Sequence, residues 1–242
     1  LMICCAAVVA HAADVRFSST RISPNCASIK IHGEIKPGDA TSLRTLLKKN
    51  DVGCVGQDIE PVISFDSQGG DVDEALRIGR LIRRKQLGTT VERNQKCISA
   101  CNFAFLGGVA RHVDGAFGIH RPYTTSFSTE QSDAASKYQT MKQVLTSYTV
   151  EMNVSPDLVE RMMKISPEDV KYLDLATMKA MGIVGADPVW EDIHSSTEAK
   201  ALGISKQEYI RRRAIAKHLC GTGLRPYPDD CFNEVMKTGI RK

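Results

Sequence analysis

Short apolar runs, each followed by a turn and an amphipathic helix, constrain the fold of this chain most. Residues 61–65 (PVISF) suit a buried strand, and the turn-forming residues 66–70 (DSQGG) come next. Residues 72–82 then carry apolar side chains at helical spacing. A second strand at 89–92 is followed by an apolar helix that opens at 97–101. This alternation predicts an α/β fold with a parallel sheet.

The 242 residues suffice for one sizeable domain and an appendage. Residues 1–12 (LMICCAAVVAHA) form a short apolar run that ends in small residues, as in a truncated signal peptide. We therefore expect an α/β domain at 13–195 in an exported protein, and a membrane tether if the segment stays uncleaved. After Trp190 the sequence becomes helical and basic, which predicts a small helical C-terminal extension at 196–242.

Six cysteines remain once residues 1–12 are set aside. An even count behind an export signal favours disulfides, and hence the periplasm or secretion. One pair is four residues apart, a second brackets a Gly/Pro-rich loop, and a third pair is left over. The candidate disulfides are Cys97–Cys101, Cys220–Cys231 and Cys26–Cys54. The C-x3-C pair has no partner pair at zinc-finger spacing, so we expect no metal and no cofactor.

The charge pattern argues against a nucleic-acid partner. The formal net charge is +4, and the basic residues are spread along the chain. The densest cluster, Arg211–Arg213, lies in a stretch with a helical pattern and is typical of a solvated helix face. Nucleic-acid binding normally needs a clustered basic stripe, so none is predicted.

Ser99 is the candidate nucleophile. It lies where a strand gives way to an apolar helix, and the first N–H groups of a helix have no acceptor within it. The amide of Ala100 could therefore donate to an oxyanion that forms beside the Ser99 hydroxyl. The simpler alternative is that Ser99 is an ordinary helix N-cap.

Two further segments could complete a serine-hydrolase site. Gly69 and Gly70 follow a buried strand and would allow close approach of backbone N–H groups to a ligand. His120 ends the strand AFGIH, which suits a general base that faces a site; His112 lies inside the preceding strand. Asp169 lies in a loop between helical segments and could orient the imidazole. Each of these residues could also serve a purely structural purpose.

Four segments together resemble the proteolytic subunits of Clp proteases. FDSQGGDVDEALRIGRLIR resembles their glycine turn and the helix after it, and CISACNFAFLGG resembles the segment with their nucleophilic serine. GAFGIHRPY resembles the motif with their histidine, and EDVKYLDLATMKAMGIV resembles the segment with their aspartate. The order along the chain is the same, and the resemblance spans roughly residues 60–187.

This resemblance implies a fold and a set of roles. The fold would be a ClpP/crotonase-like spiral of β-β-α units. Ser99 would be the nucleophile, His120 the general base and Asp169 its orienter, with the amides of Gly70 and Ala100 as the oxyanion hole. The activity would be that of a serine endopeptidase acting on a peptide or protein, in a protein that self-associates as its relatives do.

Three alternatives stay open at this point. The spiral fold could serve as a catalytically inactive binding or assembly module of the cell envelope. It could also be a crotonase-like acyl-thioester enzyme, although acyl-CoA is cytosolic and export argues against this. A serine–lysine dyad would use Lys85 or Lys96, but the H-x-P context of His120 favours the triad.

Overall fold

The computed structural model describes residues 16–23, 26–49, 53–54, 62–122, 131–220 and 229–239. The predicted signal segment 1–12 lies outside these residues. The chain divides into two compact units after Asp187. The boundary predicted from the sequence lay later in the chain, at 195/196. The first unit extends to this aspartate because its buried carboxylate is ion-paired with Arg83 and Arg111.

The first unit combines strands and helices in alternation. Its longer strands are β1 (Arg16–Ser23), β2 (Cys26–Ile35), β4 (Val62–Gly70), β5 (Gly88–Val91), β6 (Lys96–Ile98), β7 (Ala110–Val113) and β8 (Ala116–Ile119). The short strands are β3 (Gly53–Cys54), β9 (Lys171–Tyr172) and β10 (Gly185–Ala186). The helices are α1 (Asp39–Lys49), α2 (Val72–Arg84), α3 (Ala100–Leu106), α4 (Gln131–Glu151), α5 (Asp157–Met163) and α6 (Leu175–Ala180).

Strand β4 joins two sheets. Its first residues pair in parallel with β5, in the register Val62↔Gly88, and farther along Ser67 pairs in parallel with Cys97 of β6. Strand β7 continues the first sheet beside β5, and β8 continues the second sheet beside β6. Each successive β-β-α unit therefore places one strand in each sheet, and the predicted α/β spiral is confirmed.

The predicted turn at 66–70 is wrong, because these residues belong to strand β4. Strand β2 runs parallel to β4 up to the pair Ile35↔Gly70, so pairing includes both glycines. Gly69 and Gly70 have φ of +103° and +139°, a region that side chains disfavour. The two glycines that suggested a turn therefore indicate an unusual backbone conformation at the end of a strand.

Helix α3 is the centre of the core. Every one of its residues is buried, as suits a helix enclosed by the sheets and α2. Phe105 makes edge-to-face contacts with Phe65 and Phe117, with ring centroids 6.2 and 5.5 Å apart. This packing fixes the helix that begins immediately after Ser99.

A buried carboxylate connects α1 to α2. Glu74 Oε1 accepts hydrogen bonds from the N–H groups of Gly38 and Ala40 at 3.1 and 2.7 Å, and Arg77 donates to Oε2 at 2.7 Å. Burial raises the pKa of Glu74, but these donors outweigh it, so the pKa lies below its ordinary value of 4.5. The ionised carboxylate of Glu74 is therefore the form that accepts the hydrogen bonds from the start of α1.

This depressed pKa predicts acid-dependent stability. The contribution of Glu74 is fully present above the unfolded-state pKa and is lost as the pH falls through the lower native pKa. We expect Glu74→Gln to reduce the free energy of unfolding near neutral pH by about 1–3 kcal/mol. Urea unfolding at a series of pH values should show a weaker loss of stability below pH 4.5 in the variant than in the wild type. An unchanged pH dependence would contradict this role, and exposed Glu160→Gln is the control.

The second unit consists of helices. They are α7 (Pro188–Ala201), α8 (Lys206–Cys220) and α9 (Asp229–Thr238), around a small core of Ala199, Tyr209, Ala216, Val235 and Met236. The arginines at 211–213 are ion-paired with Glu208 or Glu191, and two guanidinium groups lower the pKa of Glu208 to about 2. This unit is helical, as the sequence predicted.

Candidate active site

Ser99 occupies a strained turn between β6 and α3. Its φ of 59° and ψ of −126° are unusual for a residue with a side chain, and such strain is typical of functional sites. Its N–H donates to the Gly118 carbonyl at 3.1 Å. The half-buried side chain makes no capping hydrogen bond to α3. The ordinary N-cap explanation therefore does not account for this serine.

Gly69 lies directly against Ser99. A Cβ atom built on Gly69 would approach Ser99 Cβ to 2.8 Å and the Ala100 nitrogen to 3.0 Å, closer than real side chains come. Gly70 instead packs against the backbone of Ile35. Sequence reasoning selected Gly70 for the oxyanion hole, whereas Gly69 makes the close contact with the nucleophile turn. The glycine pair in the sequence indicated a close backbone contact, but not which of the two glycines makes it.

The Ala100 amide begins α3 beside the same contact. It is the first residue of the helix, where N–H groups have no intrahelical acceptor. Its position next to Ser99 suits a donor to an oxyanion at the serine hydroxyl. The oxyanion roles of Gly70 and Ala100 stay predictions.

His120 directly follows β8, and Ser99 directly follows the neighbouring strand β6. Strands β6 and β8 are parallel, in the register Ile98↔Gly118, and neighbouring strands lie about 4.8 Å apart. The carboxyl ends of β4, β6 and β8 thus bring the glycine pair, Ser99 and His120 to one edge of the sheet, where α/β folds place their sites. His120 is only 7% exposed.

The Arg121 carbonyl contacts the imidazole, which sequence reasoning could not reveal. His120 Nδ1 lies 3.0 Å from the Arg121 oxygen, and the Arg121 N–H donates to the Ile165 carbonyl at 3.0 Å. A carbonyl can only accept, so this contact corresponds to a proton on Nδ1 and leaves Nε2 as the acceptor. That tautomer is the one a general base needs.

Asp169 lies on the neighbouring antiparallel segment. Strand β9 pairs with β8 in the registers Gly118↔Tyr172 and Ile119↔Lys171. Asp169 lies two residues before β9, and its side chain is exposed. Its role as orienter stays a prediction, because a resemblance between short motifs does not fix a strand register to one residue.

Two of the predicted cysteine pairs lie at disulfide distance. Cys97 and Cys101 are both fully buried, bracket Ser99 and have Cα atoms 5.3 Å apart. In the second unit, Cys220 and Cys231 have Cα atoms 5.9 Å apart. For the third pair, the backbones of β2 and β3 are paired in the register Cys26↔Cys54, and their side chains lie outside the described residues.

The described ranges contain neither a candidate metal-binding cluster nor a candidate membrane-spanning helix. Within them, histidine, cysteine, aspartate and glutamate side chains form no group of three or more that could hold a metal ion. None of the helices in that part of the chain is both long enough and apolar enough to span a membrane.

No family model and no curated protein matches the sequence. Among solved structures, the chain is similar to a mutant of ClpP1 from Listeria monocytogenes, with 19% identity over 67% of this chain and 93% of that one, at a TM-score of 0.48. It is also similar to a mutant of the 1510-N membrane-bound stomatin-specific protease, with 15% identity over 65% of this chain and 75% of that one, at a TM-score of 0.46.

Proposed function

We propose that this chain is an exported serine-type peptidase, with Ser99 as nucleophile and His120 as general base. The observation that carries the proposal is the strained Ser99 turn, which contacts Gly69 and is hydrogen-bonded to the strand that ends at His120. Strain at a serine whose hydroxyl caps no helix is best explained by a reactive role.

The proposed reaction follows the logic of serine acyl transfer. Nε2 of His120 takes the Ser99 hydroxyl proton as Oγ attacks the peptide carbonyl, and the oxyanion is stabilised by the amides of Gly70 and Ala100. His120 then protonates the leaving amine as the C–N bond breaks. A water molecule, activated by the same imidazole, hydrolyses the acyl-enzyme and regenerates Ser99.

Export is part of the proposal because of the cysteines. Two pairs at disulfide distance, in addition to the apolar segment at 1–12, favour an oxidising compartment such as the periplasm or the exterior. A bond between Cys97 and Cys101 would restrain the turn on both sides of Ser99 and so preorganise the nucleophile. Substrates would be peptides or proteins, and the active form would be a homo-oligomer.

Peptide cleavage tests the function directly. The purified chain is incubated with a diverse peptide library and with unfolded casein, and the products are identified by mass spectrometry. We expect cleavage that stops after treatment with a fluorophosphonate, which reacts with activated serines. The absence of cleavage, or cleavage that the reagent does not affect, would reject the proposal.

Asp169→Asn tests the third member of the triad. If Asp169 orients His120, the substitution should lower kcat by about 10⁴-fold, as loss of a triad aspartate does elsewhere. The measurement is kcat for a cleaved peptide, with exposed Asp157→Asn as the control. A kcat equal to that of the wild type would assign the orientation of the imidazole to the Arg121 carbonyl instead.

One observation favours a second candidate, the catalytically inactive envelope module. His120 Nδ1 lies 3.0 Å from the Arg121 carbonyl, a neutral group that lacks the charge with which an aspartate stabilises an imidazolium ion. A chain that has lost catalysis could keep the fold and bind peptides without cleaving them. Peptide binding without cleavage, and without fluorophosphonate labelling, would select this candidate.

A further inference from the structure

Asn102 is a buried polar residue next to the candidate nucleophile. It lies in the first turn of α3, three positions after Ser99, and its side chain is completely inaccessible to solvent. Its neighbours in the helix are apolar, so an amide at this position needs an explanation beyond packing.

The Asn102 amide reaches the strand that carries His120. Its Nδ2 donates to the Gly118 carbonyl at 2.8 Å, and the Ser99 N–H donates to the same carbonyl at 3.1 Å. Gly118 lies two residues before His120 on β8. One carbonyl oxygen therefore holds both the nucleophile turn and the helix behind it.

The other end of the Asn102 amide is the acceptor oxygen Oδ1. Asn102 Oδ1 is buried without a hydrogen bond in the described part of the structure. An unsatisfied buried acceptor costs about 1–3 kcal/mol, so a leucine of similar shape would be cheaper here if only packing mattered. The asparagine is thus retained at a cost in stability, which points to a role for its donor.

We infer that Asn102 is a positioning residue that holds the Ser99 turn against the His120 strand through the Gly118 carbonyl. This inference rests on the proposed function, in which these two residues react together. Without the amide, only the Ser99 N–H connects the strained turn to that carbonyl, and the turn can relax away from its reactive conformation. Small displacements at a reacting centre lower the rate strongly.

The test compares Asn102→Leu with a matched control. Leucine keeps the shape and removes both the donor and the unpaired acceptor, and Gly118 keeps its bond from Ser99. The control is Thr89→Val, which removes a different buried hydrogen bond to α3, from Thr89 Oγ1 to the Phe105 carbonyl at 2.8 Å. Inactivation by a fluorophosphonate gives kinact and KI for each protein, and hydrogen exchange measures the Ser99 amide.

We expect Asn102→Leu to lower kinact by about 10- to 100-fold with KI unchanged, because the reacting atoms are displaced while probe binding persists. The Ser99 amide should also exchange faster, and Thr89→Val should match the wild type in both. Equal kinact in Asn102→Leu and the wild type, or an equal loss in Thr89→Val, would overturn the inference. If Asn102→Leu does not fold, Asn102→Ala is taken through the same measurements.

The exchange measurement separates this inference from the proposed function. If the wild-type chain does not react with the probe, the proposed hydrolase function is rejected. Hydrogen exchange of the Ser99 amide then tests the positioning role of Asn102 by itself. Faster exchange in Asn102→Leu, but not in Thr89→Val, would support the connection between turn and strand. Unchanged exchange would reject it.

Discussion

His120→Gln is expected to lower the rate of Ser99 acylation by about 10²- to 10⁴-fold, the range that general bases contribute. Glutamine is neutral and similar in size, but it cannot take a proton from the serine hydroxyl. His120 is almost fully buried and directly follows β8, the strand beside β6, which leads to Ser99. The rate is measured as kcat/KM for a cleaved peptide and as kinact for a fluorophosphonate.

His112→Gln is the matched control for this prediction. His112 lies on β7, is exposed and pairs with Asp114 at 3.0 Å. Strand β7 belongs to the sheet that does not carry Ser99, so this variant should keep the wild-type rate. A His120→Gln protein as fast as the His112→Gln protein would remove His120 from the mechanism.

Arg111→Met is expected to lower the free energy of unfolding by about 3–5 kcal/mol, because it breaks a buried ion pair and its hydrogen bonds. Arg111 is 4% exposed, and its guanidinium pairs with buried Asp187. It donates to the carbonyls of Leu106, Gly108, Met152, Gly182 and Ile183. Burial lowers its pKa to about 10, and the carboxylate of Asp187 opposes that shift.

Urea unfolding of Arg111→Met and Arg80→Met provides the measurement. Arg80 makes a partly exposed ion pair with Glu151 at 2.8 Å, and such surface pairs contribute no more than about 1 kcal/mol. The same chemical change should therefore have a much smaller effect at position 80. Equal losses of stability in the two variants would show that the carbonyls around Arg111 do not depend on its guanidinium.

Much of the fold could be predicted from local sequence patterns. The apolar run at 61–65 and the helical spacing at 72–82 each indicated one element, and the alternation of strands and helices indicated a parallel sheet. Once the strands are parallel, their carboxyl ends share an edge. The proximity of the glycine pair, Ser99 and His120 follows from that geometry.

What the sequence could not provide depends on register and backbone conformation. The position of Asp169 relative to His120 depends on the register between β8 and β9, and an offset of one residue turns a side chain to the other face of the sheet. The Arg121 carbonyl belongs to a backbone group that every residue carries, so no sequence pattern marks it. Asn102 looked like part of an apolar helix, and only its hydrogen bond to Gly118 distinguishes it.

The most direct measurement of the central claim is the site of fluorophosphonate attachment, mapped by peptide mass spectrometry. We expect a single adduct on Ser99, formed by the wild-type chain and absent from Ser99→Ala, while Ser155→Ala reacts normally. An adduct on another residue, or one formed equally by Ser99→Ala, would contradict the assignment of Ser99 as the nucleophile.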